Sequence, residues 1–172
     1  MRTLIPLYRN KELEHKAVIY QFQGDDRWLS NFWSCNIILP AEGDLPAMQF
    51  DALEKAYMAW KTLDLKARLE IQKMKPGTAK RFSYSNDFEY RQPYNNEMRI
   101  EIMHILIMQK FSLQNPELLR MLLETDNALI IEGNVHCDTF FGFDLDNGYG
   151  QNTLGRIIMD VRQLRQQSML AN

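Results

Sequence analysis

Glu54 and Lys61 are an acid and an amine seven residues apart in an otherwise mostly apolar run, Glu54, Lys55, Ala56, Tyr57, Met58, Ala59, Trp60, Lys61. In a helix, seven steps of ~100° bring Lys61 back to within about 20° of Glu54, about 10 Å along the axis. Tyr57 and Met58 then lie between them on the same face. A carboxylate and an amine on a stripe that otherwise reads as core form either a buried ion pair or one wall of a reaction site. Glu54 also has a purely structural reading. Asp51 would be the helix N-cap and Glu54 its capping-box partner, an arrangement worth about 1 kcal/mol.

Three further loci carry chemistry-bearing types, each with a structural alternative. Ser30, Asn31 and Phe32 sit between Trp28 and Trp33; they offer polar groups for a ligand or simply pack aromatics onto the core. Asp138 precedes Phe140, Phe141 and Gly142; it is an acid in a loop or a turn former bonding its own backbone. Gly150, Asn152 and Gly155 run into a predicted helix. Exposed amides there suit a phosphate, or Asn152 or Thr153 is an N-cap. The phosphate-loop, nucleophile-elbow and zinc-protease patterns are absent from the sequence. Catalysis would therefore fall to carboxylates, lysines and amides.

Composition narrows the classes. A chain of 172 residues, 45% hydrophobic and 24% charged, suits one soluble domain. With 22 acids against 20 bases, the net charge of -2 argues against a broad nonspecific nucleic-acid surface. Cys35 and Cys137 cannot make a disulfide framework or a cysteine-only zinc site, and both read as small buried hydrophobes. His104 reads as a core histidine. His15, His104 and His136 are too scattered to imply a structural metal. Residues 1–6 lack the apolar core of a signal peptide, and no stretch reaches the ~18 apolar residues of a membrane span. The expectation is a cytoplasmic protein with no membrane partner.

The elements that must position these residues follow from patterning. Residues 17–22 and 36–39 read as strands, and residues 48–50 as a brief third one. Helices are predicted near residues 51–63, 65–74 (stopped before Pro76), 76–81, 95–111, 117–124 and 153–166. The helix over 95–111 is apolar nearly all round, which predicts a central, buried element. Asn115 before Pro116 reads as an N-cap. Residues 128–132 read as a buried strand, residues 133–150 as a long loop, and the tail to Asn172 as frayed.

In order and spacing these blocks resemble the NADAR family, also called YbiA-like. The resemblance rests on Leu29, Ser30, Asn31 and Phe32; on Glu54, Ala59 and Lys61; on Pro76, Ala79 and Lys80; and on Met103, Lys110 and Phe111. It continues through Ile131 and Glu132, Asp138 and Gly142, and Gly150, Asn152, Leu154, Gly155, Met159 and Arg162. It covers roughly residues 20–163. The chain departs from the family pattern where Phe141 replaces a tryptophan, where Lys55 follows Glu54 in place of a histidine, and where Asn95, beside Tyr94, replaces another tryptophan. These changes bear on substrate preference.

The resemblance implies an α+β fold: a compact single domain over residues 1–172, mainly helical, with a small sheet of short strands. It implies an N-glycosidase, a hydrolase of the C1–N bond in N-ribosyl or ADP-ribosyl conjugates, with no cofactor and no metal. Substrates would be small molecules such as ribosylamino intermediates of riboflavin synthesis, or ADP-ribosylated guanine, free or in nucleic acid. Glu54 would be the acid/base. Lys61 would be its partner, a phosphate ligand or a Schiff-base nucleophile. Asp138 would bind ribose hydroxyls or activate water. Ser30, Asn31, Gly150, Asn152 and Gly155 would hold sugar and phosphate, with Phe32, Tyr57 and Phe141 stacking on the base. The alternative is a noncatalytic ADP-ribose or nucleotide-binding module that keeps the pocket without turnover.

Overall fold

The computed structural model describes residues 17–170. His15, residues 1–6 and Asn172 lie outside the described residues. In chain order the elements are β1 (Val18–Ile19), a 3-10 helix (Gly24–Leu29), β2 (Ser34–Leu39), β3 (Met48–Ala52) and α1 (Leu53–Trp60). There follow α2 (Leu65–Lys73), α3 (Pro76–Phe82), α4 (Asn96–Lys110), α5 (Pro116–Glu124), β4 (Leu129–Ile130), β5 (Gly133–Asn134), β6 (Phe143–Asp144) and α6 (Thr153–Leu170). This is the α+β architecture expected, helical for the most part with short strands. Two compact units divide it: residues 28–119, and residues 17–27 together with 120–170.

The first unit is built around α1, all eight residues of which are buried. Helices α2, α3 and α4 and the antiparallel pair β2–β3 all pack on it. The strands alternate as a half-buried sheet must, turning Cys35, Ile37, Leu39, Met48, Phe50 and Ala52 inward. The sequence pattern assigned the central place to the helix over 95–111. That is corrected: α4 buries Ile102, Met103, Leu106, Ile107 and Lys110 and leaves Ile100 and Ile105 substantially exposed. An eight-residue helix carrying Glu54, Lys55 and a C-terminal Lys61 is too short and too charged for periodicity to single it out.

The capping reading of Asp51 is also corrected. Strand β3 continues two residues past Phe50, so Asp51 lies in the strand and Ala52 is the N-cap, with no side-chain cap bond. Asp51 instead pairs with the buried Lys55 at 2.7 Å. The helix start is satisfied from elsewhere, since the carbonyl of Asn31 accepts the Glu54 N–H at 2.8 Å.

Among the described residues the outer edge of β2 has no strand beside it, yet its backbone is paired. The Asn115 side chain accepts from Asn36 N–H at 2.7 Å and donates to Asn36 O at 2.9 Å. Gln109 does the same for Ile38, at 2.8 Å in both directions. Two side-chain amides thus act as a surrogate strand; Asn115 still stands at the expected N-cap position, its carbonyl accepting Leu119 N–H at 3.0 Å ahead of Pro116, while its side chain serves β2.

In the second unit β1 pairs in parallel with β4, β5 with β6, and α6 packs on β4. Asn152 lies at φ 50°, a left-handed conformation that asparagine tolerates better than most residues. Fully buried, it accepts from Glu132 N–H and donates to Ile130 O, each at 2.9 Å. Gly155 sits where a Cβ would come within 2.3 Å of Ile130 O. Helix α6 continues to Leu170, past the expected fraying point. Among the described residues no helix is long and apolar enough to cross a membrane.

Candidate functional site

Glu54 and Lys61 mark the two ends of α1, and the unit of residues 28–119 gathers charged and aromatic side chains around them. Glu54, only 5% exposed, sits in the first turn, where the helix dipole favours a carboxylate. Helix α3, opened by Pro76, brings Lys80 Nζ to 3.8 Å from Glu54 Oε1. Lys80 is half exposed, and its ammonium also lies 5.6 Å from the centroid of Phe32, an exposed ring.

Lys61 is the C-cap of α1 and is 3% exposed. Among the described residues no hydrogen bond or ion pair holds its Nζ; the amine lies between two rings, 5.2 Å from Tyr57 and 4.8 Å from Tyr84. Burial pulls its pKa down to about 8, Glu54 pulls it back up, and Arg99 and Lys80 push it further down. About a tenth of such an amine is neutral near pH 7.

Tyr57 is buried against Trp60, with which it stacks at 6.1 Å and 11°. Its hydroxyl accepts from Arg99 Nε at 3.3 Å and is hydrogen-bonded to Tyr94. Burial raises the Tyr57 pKa well above the usual phenol range. Tyr57 is therefore a buried ring and not the open stacking platform expected; Phe32 and Tyr84 are the exposed rings.

Asn31 is buried, and its amide makes one weak contact, to Met103 Sδ at 3.7 Å, leaving Oδ1 without a partner. Its loop is held from below by Lys110, a wholly buried ammonium that donates to Leu29 O at 2.8 Å and Ser30 O at 2.7 Å. Ser30 Oγ accepts from Phe32 N–H at 3.2 Å, closing a local turn. The loop thus presents Asn31 at the start of α1 and Phe32 beside Lys80.

The remaining expected residues lie in the other unit. Asp138 is exposed and accepts through Oδ1 from Phe140 N–H and Phe141 N–H, at 3.2 and 3.1 Å, which is the turn alternative. Phe141 is buried beside Phe140. The amides of residues 151–154, expected to hold a phosphate, are spent on the carbonyls of residues 139–142. Asn152 and Gly155 serve the packing of α6 on β4. Gly150, at φ 155°, would place a Cβ 2.6 Å from Gly142 O. Cys137 is exposed, contrary to expectation, whereas Cys35 is buried. His104 is half buried and His136 exposed. No group of three or more His, Cys, Asp or Glu among the described residues could hold a metal.

Sequence reasoning did not assign Lys80, Tyr84 or Arg99 to the site. Lys80 stood in a matched block, so a signal existed. Tyr84 and Arg99 gave none, because the contacts that bring them to Lys61 and Tyr57 span 23 and 42 residues.

Comparison with known proteins adds three findings. The model of the NADAR domain matches residues 19–165, running through both units. A riboflavin biosynthesis protein of Vibrio vulnificus (strain YJ016) is 29% identical over 156 residues, a match covering 90% of this chain and 40% of that protein. The chain therefore spans well under half the length of that relative. The NMR structure of the E. coli protein YbiA superposes with a TM-score of 0.74 at 26% identity, covering 91% of this chain and 89% of that one.

Proposed function

The chain belongs to the NADAR family, and from that premise we propose that it is an N-glycosidase, hydrolysing the C1–N bond of an N-ribosyl or ADP-ribosyl conjugate. One observation carries the reading: a buried carboxylate and a buried amine of lowered pKa stand at the two ends of one helix, coupled through space. Structural lysines are rarely kept dry without a hydrogen-bonded partner. An amine near pKa 8 is suited to nucleophilic work.

The chemistry follows from these two groups. The sugar ring of an N-ribosyl amine opens when the nitrogen lone pair forms C1=N and the ring oxygen takes a proton. Neutral Lys61 adds to C1, the Glu54 carboxylate takes the proton that its nitrogen sheds and passes it to the substrate nitrogen, and that nitrogen leaves as a neutral amine. A lysine imine at C1 remains. Water then adds to C1, Glu54 accepts its proton, and collapse returns the lysine amine and free sugar. Lys80 tempers Glu54 and, half exposed, is placed to meet an anionic group of the substrate. The unpartnered Asn31 oxygen is suited to a sugar hydroxyl or a base N–H. Phe32 offers a stacking face. In the other unit, Asp138 uses only Oδ1 in its turn, which leaves Oδ2 for a ribose hydroxyl or a water. The buried or spent groups at Phe141, Gly150, Asn152 and Gly155 support the frame of that unit.

The test incubates ADP-ribosylated guanosine, and separately a ribosylaminopyrimidine, with wild type and with Glu54→Gln. Release of free base by wild type, with a loss of about 10²- to 10⁴-fold in the variant, is the expected result. Unchanged turnover by a folded Glu54→Gln protein rules out the acid/base role. Binding without any release by wild type favours the noncatalytic nucleotide-binding alternative.

A further inference from the structure

Tyr84 is the one tyrosine around Lys61 whose hydroxyl is tied to nothing. Tyr90 donates to Ser83 O at 2.6 Å, and Tyr57 and Tyr94 bond to each other. Among the described residues the Tyr84 hydroxyl has no hydrogen-bond partner. The ring is 63% exposed, whereas the Lys61 beneath it is 3% exposed.

The amine is thus sandwiched between an inner ring, buried Tyr57, and an outer ring, exposed Tyr84. The Tyr84 backbone is firmly held. Its N–H donates to Arg81 O at 3.1 Å, and the next residue binds Phe82 O through both N–H and Oγ. A fixed backbone with an untethered, exposed side chain moves by rotamer change alone, on the picosecond-to-nanosecond scale of surface side chains.

We propose that Tyr84 is the gate of the Lys61 pocket: its ring covers the amine and must turn aside before a planar substrate can reach it. Lys80 cannot play this part, because its half-exposed chain reaches Glu54 and Phe32 at the other end of α1. Among the described residues no hydrogen bond fixes the Tyr84 ring, and its contact with the ammonium is weak enough to yield to a ligand. Tyr84 thereby sets which molecules reach Lys61, favouring flat ones that can replace its ring.

The proposal rests on Lys61 facing the substrate, so its test reads the amine alone. The intact protein is treated with trinitrobenzenesulfonate, a flat anionic reagent for neutral amines, and modification of each lysine is followed by peptide mass spectrometry. The reaction is run at about pH 11, above even the ordinary lysine value, so that most of the Lys61 amine is neutral in every variant, including one that uncovers it. Expected is a rise in Lys61 labelling of about tenfold or more in Tyr84→Ala, since a covered group reacts only through its open fraction. Tyr84→Phe should stay within about twofold of wild type, because the ring and not the hydroxyl covers the amine. Wild-type labelling in Tyr84→Ala, or equal labelling in both variants, overturns the gate. So does a parallel rise at Lys110, since general loosening would then be the cause. A gate that stands while Lys61→Arg still releases free base retains the cover and removes Lys61 from the reaction.

Discussion

At the residue scale, Lys61 makes a measurable claim about pH. Its amine titrates near about 8 in the folded chain and near its ordinary value of 10.5 when unfolded. Between those values the unfolded state holds a proton that the folded state has released. Lys61's share of stability therefore rises as pH climbs from about 8 to 10.5. Capture of a small aldehyde at Lys61, trapped with borohydride, should rise with pH and level off above an apparent pKa of about 8. Glu54 holds that value up and Lys80 holds it down. Glu54→Gln should move the midpoint lower and Lys80→Ala higher, as read by mass spectrometry. Movement in the opposite senses would show that the charges near the amine are not those assigned here. The spacing of Glu54 and Lys61 was legible in the sequence. The dryness that changes the chemistry of Lys61 was not, because Tyr84 and Arg99 are brought to the site by tertiary contacts.

At the element scale, the C-terminus of α1 is held by a clasp. Arg91 donates to Trp60 O at 3.3 Å, and its backbone N–H donates to Lys61 O at 2.7 Å. Wholly buried Arg68 donates to Thr62 O at 2.9 Å. Both guanidinium groups share one carboxylate, Glu42, from the β2–β3 turn, with Arg91 gripping both of its oxygens. The Arg91 hydrogen bond, first among the causes, keeps the Glu42 carboxyl below its usual range. Glu42→Gln should cost about 2 kcal/mol in urea melts at neutral pH. That is less than the ~3–5 kcal/mol for breaking a fully buried pair, because this carboxylate is half exposed. A lowered carboxyl gives stability above its ordinary titration range and loses it as pH falls through the folded pKa. The gap between variant and wild type should therefore close in acid; a gap that persisted there would dismiss the charge pairing. Helix positions were legible from proline signals, with α2 ending ahead of Pro76 and α3 opening at it; the Asp64 side chain that caps α2 by accepting from Lys66 N–H at 2.9 Å was not read from the sequence. Centrality was not legible, because burial of α1 comes from four separate segments folding onto it.

At the scale of the whole molecule, the ordered blocks of the sequence identified the fold, yet they divide into different kinds of work. Asn31, Glu54, Lys61 and Lys80 gather around α1. Asn152, Gly155 and Arg162 hold strands and helix together; Arg162 donates to Thr125 Oγ1 and Ala128 O at 2.7 and 2.9 Å. Both kinds look alike in a sequence, since a buried amide serving the backbone and one serving a ligand are the same residue. Only the partners tell them apart, and those lie 22 positions away for Asn152 and 79 for Asn115.

Sheets this narrow, completed by the side chains of Gln109, Asn115 and Asn152, are exposed to a slow chemical hazard. Deamidation replaces one NH₂ by one oxygen, without change of size. At Asn152 it would turn the donor facing Ile130 O into an acceptor and leave two oxygens in opposition in a site closed to water. Asn152→Asp reproduces the aged residue and keeps the same tolerance for φ 50°. It should lower stability by about 2–4 kcal/mol at neutral pH, and by less in acid, where the carboxyl regains a proton to donate. An unchanged thermal midpoint would show that the amide is not part of the sheet. Loss of this one amide would thus unpair a hidden strand and leave the surface above it chemically unchanged.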